Sequence, residues 1–134
     1  MKKVLAAISC IGILLACGAC RRETKDEKFQ RDFKQFTQKE CPKFVDQCTR
    51  LDSACYDIES RTLFYNYSVQ GELDNDSIYT EELSEAFHDD ILKGLKGSLQ
   101  LKVYKDEGIT FCYSYRSMTT GKLLLKLSFT KEDY

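Results

Sequence analysis

The 134-residue sequence has one histidine, one proline and no tryptophan, and its 20 Lys and Arg against 21 Asp and Glu leave a formal net charge of only −1. Each shortage removes a class of function. Without a basic excess little in the chain can neutralise a phosphate backbone, so no nucleic-acid partner is expected. The single histidine, His88, is followed by Asp89 and Asp90, no H-x-x-x-H spacing occurs, and the one C-x-x-C, Cys17-Gly18-Ala19-Cys20, has no histidine pair to join it, so no His-based zinc site is expected. A dyad of His88 with Cys55 or Cys112 would need a long-range contact that nothing in the sequence implies. No catalytic residue, metal or cofactor is therefore assigned, and the chain is read as a non-enzyme. Its length suits one compact domain.

No apolar run reaches the roughly 20 residues of a comfortable membrane span. The longest, Val4 to Ala16, follows Lys2 and Lys3 and reads as an export signal. It ends in Leu14-Leu15-Ala16-Cys17, which resembles the lipobox of bacterial lipoproteins. The resemblance implies that residues 1–16 are cleaved and that Cys17 is acylated as the new N-terminus, a membrane anchor. Cys20 is a poorer second lipobox. Residues 17–28, with the charged run Cys20 to Lys28, read as a tether, and residues 29–134 as a single domain. Gly18 resembles the outer-membrane sorting choice, and Lys25-Asp26-Glu27 is similar to the acidic surface-export signal of Bacteroidetes lipoproteins. The expected location is the cell envelope, on an outer membrane, facing the periplasm or the surface. Without residues 1–16 the remaining 118 carry a net charge of −3.

All sixteen Phe and Tyr lie beyond residue 28, enough aromatic area for one core. Phe29, Phe33 and Phe36 recur at helical spacing and predict a helix over 28–39, ended by Cys41-Pro42. From Thr49 the period becomes two. Residues 49–58 and 62–69 form a predicted hairpin with Leu63, Tyr65, Tyr67 and Val69 on one face. A polar loop follows at Gly71 to Ser77. Thr80 is a plausible N-cap for a helix carrying Leu83, Ala86, Phe87, Ile91 and Leu95 on one stripe and closed by Gly97. Three more alternating segments predict strands: Leu99, Leu101 and Val103; Ile109, Phe111, Tyr113 and Tyr115; and Leu123, Leu125, Leu127 and Phe129. The fold class is α+β in the order α-β-β-α-β-β-β, a twisted antiparallel sheet with helices on one face.

Val45-Asp46, Thr49, Leu51-Asp52-Ser53, Tyr56-Asp57, Thr62-Leu63, Tyr65-x-Tyr67 and Gly121-Lys122-x-Leu124 resemble a group of small Bacteroidetes-type lipoproteins that carry no assigned chemistry. The resemblance implies class and location, not a catalytic residue. The element order is also similar to the domains of periplasmic inhibitor proteins.

Two groups of residues remain as candidates. Cys41, Cys48, Cys55 and Cys112 lie in a compartment that permits disulfides, with Cys20 as the leftover thiol; the pairing stays open, and buried free thiols are the alternative. Tyr65, Tyr67, Tyr113 and Tyr115 alternate with polar residues, so they form a binding surface if exposed and a core layer if the helices cover them. Asp74-x-Asp76 lacks the glycine of a calcium loop and reads as a polar turn. The favoured function is a lipid-anchored binding module with a protein partner. Its rivals are an immunity or inhibitor protein that presents Asp74, Asp76, Glu81 and Glu82 to a basic cleft, a structural accessory of an envelope complex, and a thiol enzyme.

Overall fold

The computed structural model describes residues 21–134. The export signal, Cys10, Cys17, Gly18 and Cys20 lie outside the described residues. The first helix, α1 (Lys25–Glu40), starts at a capping box: the Thr24 hydroxyl accepts the Glu27 N–H at 3.1 Å, and the Glu27 carboxylate accepts the Thr24 N–H at 3.2 Å. It therefore begins three residues ahead of the predicted start at 28. The aromatic spacing marks only where packing begins, whereas the cap sets where the helix begins. Lys25 to Lys28, expected as tether, are helical. The helix ends at Cys41, extended ahead of Pro42 as predicted.

A two-residue strand, β1 (Lys43–Phe44), has no sequence signal of its own. The hairpin follows as β2 (Thr49–Asp57) and β3 (Thr62–Val69), with a bulge between Leu51 and Ser53. Then come α2 (Glu81–Gly97), a short helix α3 (Lys102–Asp106), β4 (Thr110–Ser117) and β5 (Leu123–Phe129). Thr80 caps α2, its hydroxyl accepting the Leu83 N–H, as the sequence predicts.

The strands lie in the order β1-β2-β3-β4-β5 in one open sheet. The α+β class holds, and three of the four pairings are antiparallel. The fourth is not: β4 runs parallel to β3, with Tyr65 opposite Tyr113 and Tyr67 opposite Tyr115, because α2 carries the chain back along the sheet between them.

The strand predicted from Leu99, Leu101 and Val103 is instead the turn into α3 and the helix itself. With β3 on one side of β4 and β5 on the other, the connection cannot pair beside β4. It coils, the Leu101 carbonyl accepting from Tyr104 and Lys105, so that Leu101 and Tyr104 turn inward while Leu99 and Val103 stay exposed. Five alternating residues were too few to separate the two periods.

The core lies between one face of the sheet and the three helices. Phe29 and Phe33 of α1 and Leu95 of α2 pack on Ala54, Tyr56, Leu63, Val69, Ile109, Phe111, Leu125 and Phe129. The opposite face carries no helix among the described residues and presents small polar groups, Ser53 and Asn66 partly exposed and Ser68 and Ser114 buried among their neighbours.

Helix α1 also protects the β2 edge beyond β1. The Thr37 hydroxyl accepts the Ala54 N–H at 2.9 Å and donates to the Ala54 carbonyl at 2.7 Å, filling the place of a neighbouring strand. Ala54 is buried, so Thr37→Val, nearly isosteric, leaves both backbone groups without partners. The expected cost is about 1–3 kcal/mol. Urea unfolding measures it, and an unchanged midpoint would mean that water reaches this edge.

Candidate functional site: a tyrosine floor between two helices

Helix α1 rests mainly on β2 and α2 on β5, so the two helices straddle the central strands β3 and β4. Because β3 and β4 are parallel and in register, their alternating tyrosines meet in pairs. Tyr65 stacks on Tyr113 with ring centroids 5.1 Å apart and planes 16° apart; Tyr67 stacks on Tyr115 at 4.9 Å and 9°. The rings form a two-by-two floor, closed along the strand by Tyr65 and Tyr67 at 6.5 Å. Offset stacking at these separations adds about 0.5–1.5 kcal/mol per pair beyond area burial.

The walls are aromatic as well. Phe33 of α1 meets Tyr65 edge-on at 6.4 Å, and Phe87 of α2 meets Tyr115 edge-on at 5.6 Å. Tyr104 of α3 packs on Phe29 and Phe33 at one end, and Tyr79 on Phe87 at the other. These wall residues were not singled out in the sequence as site residues. Their signal was the pair of helical stripes, which reports burial but not what it encloses.

Tyr113 and Tyr115 are 8% and 7% exposed, whereas Tyr65 and Tyr67 are half-buried. None of the four hydroxyls is hydrogen-bonded within the described residues, and no buried polar side-chain atom there is left unpartnered, so each hydroxyl reaches solvent. The four sequence-predicted residues are thus brought together as a core layer under the helices, Tyr113 and Tyr115 buried with Tyr65 and Tyr67 packed against them, and only their hydroxyl tips reach solvent. Burial, reinforced by the neighbouring phenols, pushes the hydroxyls of Tyr65, Tyr113 and Tyr115 above the ordinary tyrosine range, and burial with the nearby Cys41 does so for Tyr67. All four are neutral donors and acceptors at physiological pH.

The cysteines are not brought together. Cys41, Cys48, Cys55 and Cys112 are free thiols. On the open face Cys55 and Cys112 lie on β2 and β4 with Phe64 of β3 between them. Two strand spacings of about 4.8 Å exceed the reach of a disulfide. Among the described residues no bridge joins these four cysteines, as the free-thiol alternative has it, and burial raises the Cys41 and Cys55 thiols above their usual range, away from thiolate reactivity. His88 packs on Phe129 at 4.9 Å, with Nδ1 3.2 Å from Asp89. It sits on the helix side of the sheet, and Cys55 and Cys112 point to the other side, so neither dyad can form.

The acidic edge is partly consumed internally. The Thr119 hydroxyl and N–H donate to Asp74, whose carboxyl is held below the usual carboxylate range by the Ser117 and Thr119 hydroxyls, and Lys122 pairs with Asp76. Glu81 and Glu82 remain exposed. Among the described residues no group of His, Cys, Asp and Glu could hold a metal ion. A second concavity, about 710 Å³, lies outside α1 between Gln30, Arg31 and Lys34 and the Ser53–Tyr56 stretch of β2. It is rimmed by long solvated side chains.

Residues 24–125 match the family described as a domain of unknown function, DUF8479. The chain belongs to this family. No curated protein matches it in sequence. In fold it is similar to a Pseudomonas aeruginosa protein described as secreted, with a TM-score of 0.64, 10% identity, and coverage of 84% of this chain and 98% of that one. It is also similar to EpsS, the pilotin of the Vibrio vulnificus type 2 secretion system, with a TM-score of 0.57, 9% identity, and coverage of 81% and 89%. At these identities the likeness is one of fold alone.

Proposed function

We propose that the protein is a lipid-anchored accessory of the cell envelope that acts by holding a segment of a partner protein on the tyrosine floor. The observation that carries this reading is the set of four stacked tyrosines whose hydroxyls have no partner among the described residues. A packed layer with unmet hydrogen-bonding capacity offers large, rigid contact area at small entropic cost. The fold shared with a type 2 secretion pilotin supports an envelope accessory role by analogy only. The anchor reading rests on Leu14-Leu15-Ala16-Cys17. An inhibitor role is less well supported, because Thr119 and Lys122 already occupy Asp74 and Asp76.

The hydroxyls can be removed without touching the stack. The double variant Tyr65→Phe and Tyr67→Phe should keep the wild-type melting temperature and lose about tenfold in affinity for a partner captured from envelope extracts, one to two hydrogen bonds' worth. Unchanged affinity in a folded variant would exclude the floor as the contact. For the anchor, Cys17→Ser should abolish labelling by radioactive palmitate.

A further inference from the structure

The structure offers a reason for the domain to lie on the membrane surface in one orientation. The chain is held from residue 21 onward: Arg21 pairs with Glu27 at 2.9 Å, and Glu23 with Arg31 at 2.6 Å, folding the last of the expected tether onto α1. If Cys17 carries the lipid, only three residues lie between it and Arg21, four backbone steps that reach at most about 14 Å fully extended. The end of the domain where the chain enters must then lie close to the headgroups.

That end is defined by contacts. Lys25, at the start of α1, pairs with Glu107, just past α3, at 2.5 Å. Arg61, in the β2–β3 turn, reaches Asp26 at 3.4 Å and Glu107 at 3.7 Å. Gly108 lies against Lys131 in the C-terminal turn. The α2–α3 connection and α3 lie at this same end and carry two unsatisfied apolar side chains, Leu99 in the connection at 86% and Val103 in α3 at 53% exposed. Leu99 shares a shallow depression with Lys96, Lys102 and Lys131 and with Asp106, which Lys102 neutralises at 2.6 Å. Exposed aliphatic side chains ringed by long amines match a bilayer interface: the aliphatic groups enter the acyl boundary, and the lysines reach anionic phosphates.

We infer that the Leu99–Val103 end is a membrane-docking face, which seats the domain on an anionic lipid surface and points the opposite end, with exposed Phe44 and Val45, away from the bilayer. This rests on the lipid-anchor reading. The chain has no tryptophan, so a single introduced one reports position without background. The lipidated full-length Leu99→Trp and Phe44→Trp variants are reconstituted into vesicles of phosphatidylethanolamine and phosphatidylglycerol, with and without brominated acyl chains. The expected result is a blue-shifted emission that loses most of its intensity to bromine for Leu99→Trp, and no quenching for Phe44→Trp. Raised salt should weaken the quenching of the former. A lipid-bearing chain whose Leu99→Trp fluorescence is unquenched overturns the docking and leaves the anchor standing. So does a blue shift already present without vesicles, which would mean that a second copy or another protein covers this face. A chain that carries no lipid overturns both.

Discussion

Phe111→Ala is expected to cost about 3–5 kcal/mol, a large share of the roughly 5–15 kcal/mol available to a domain of this size. Phe111 is fully buried near the start of β4, opposite Leu63 on one side and Phe129 on the other, both also at 0% exposure. Tyr134 covers it edge-on at 5.5 Å and is itself tied down by its hydroxyl, which donates to the Ile109 carbonyl at 2.5 Å. Neighbours this constrained cannot collapse into the space left by the ring, so the cavity term adds to the lost transfer energy. At about 2–8 °C per kcal/mol the melting temperature should drop by well over 6 °C. Leu123→Ala, at the exposed start of β5, is the comparison and should move it little. If the two variants melt together, the sheet's centre is not where the stability resides.

The second large effect is alkaline unfolding. Tyr56 is buried, and its hydroxyl donates to Asp26 at 2.6 Å; burial, followed by that carboxylate, raises its pKa from 10.0 to about 12. Tyr65, Tyr67, Tyr113 and Tyr115 are raised as well, chiefly by burial. A folded-state pKa above the unfolded value means that the native state binds the proton more tightly. The stability this contributes is complete below about pH 10 and is lost as the pH climbs through 12 and beyond. Because the five groups share one core, the loss should be cooperative: tyrosinate absorbance and loss of far-ultraviolet circular dichroism should rise together. Tyr56→Phe removes one of the linked protons and should make stability fall less steeply over this window. If all eight tyrosines ionise near 10 while the dichroism persists, the rings themselves are hydrated rather than packed, and the description of the layer fails.

Much of the fold was legible because it is written in local pattern. The cap at Thr80, the stripe ending at Leu95 and the period-two runs in β2, β3, β4 and β5 each depend on neighbours within a few residues. The start of α1 was readable too, from Thr24-x-x-Glu27, but the phenylalanine spacing masked it. The segment from Leu99 to Val103 was not readable: alternation over five residues fits a strand or a turn of helix equally well, and only the absence of a free edge beside β4 decided it.

The candidate site divides in the same way. That Tyr65, Tyr67, Tyr113 and Tyr115 each point to one face of a strand follows from alternation, and sequence alone determined it. That the four form a single floor depends on β4 lying parallel to β3 in register, a pairing between residues nearly fifty positions apart. Strand partners are chosen by the energy of the whole sheet, and the crossover through α2 brings β4 to the free side of β3 where a hairpin would have carried it elsewhere. The same choice sets Cys55 and Cys112 two strands apart and His88 on the other side of the sheet. Residue type and spacing thus determined which faces are apolar and where the helices are capped; long-range packing decided which faces meet, and hence which side chains form a site.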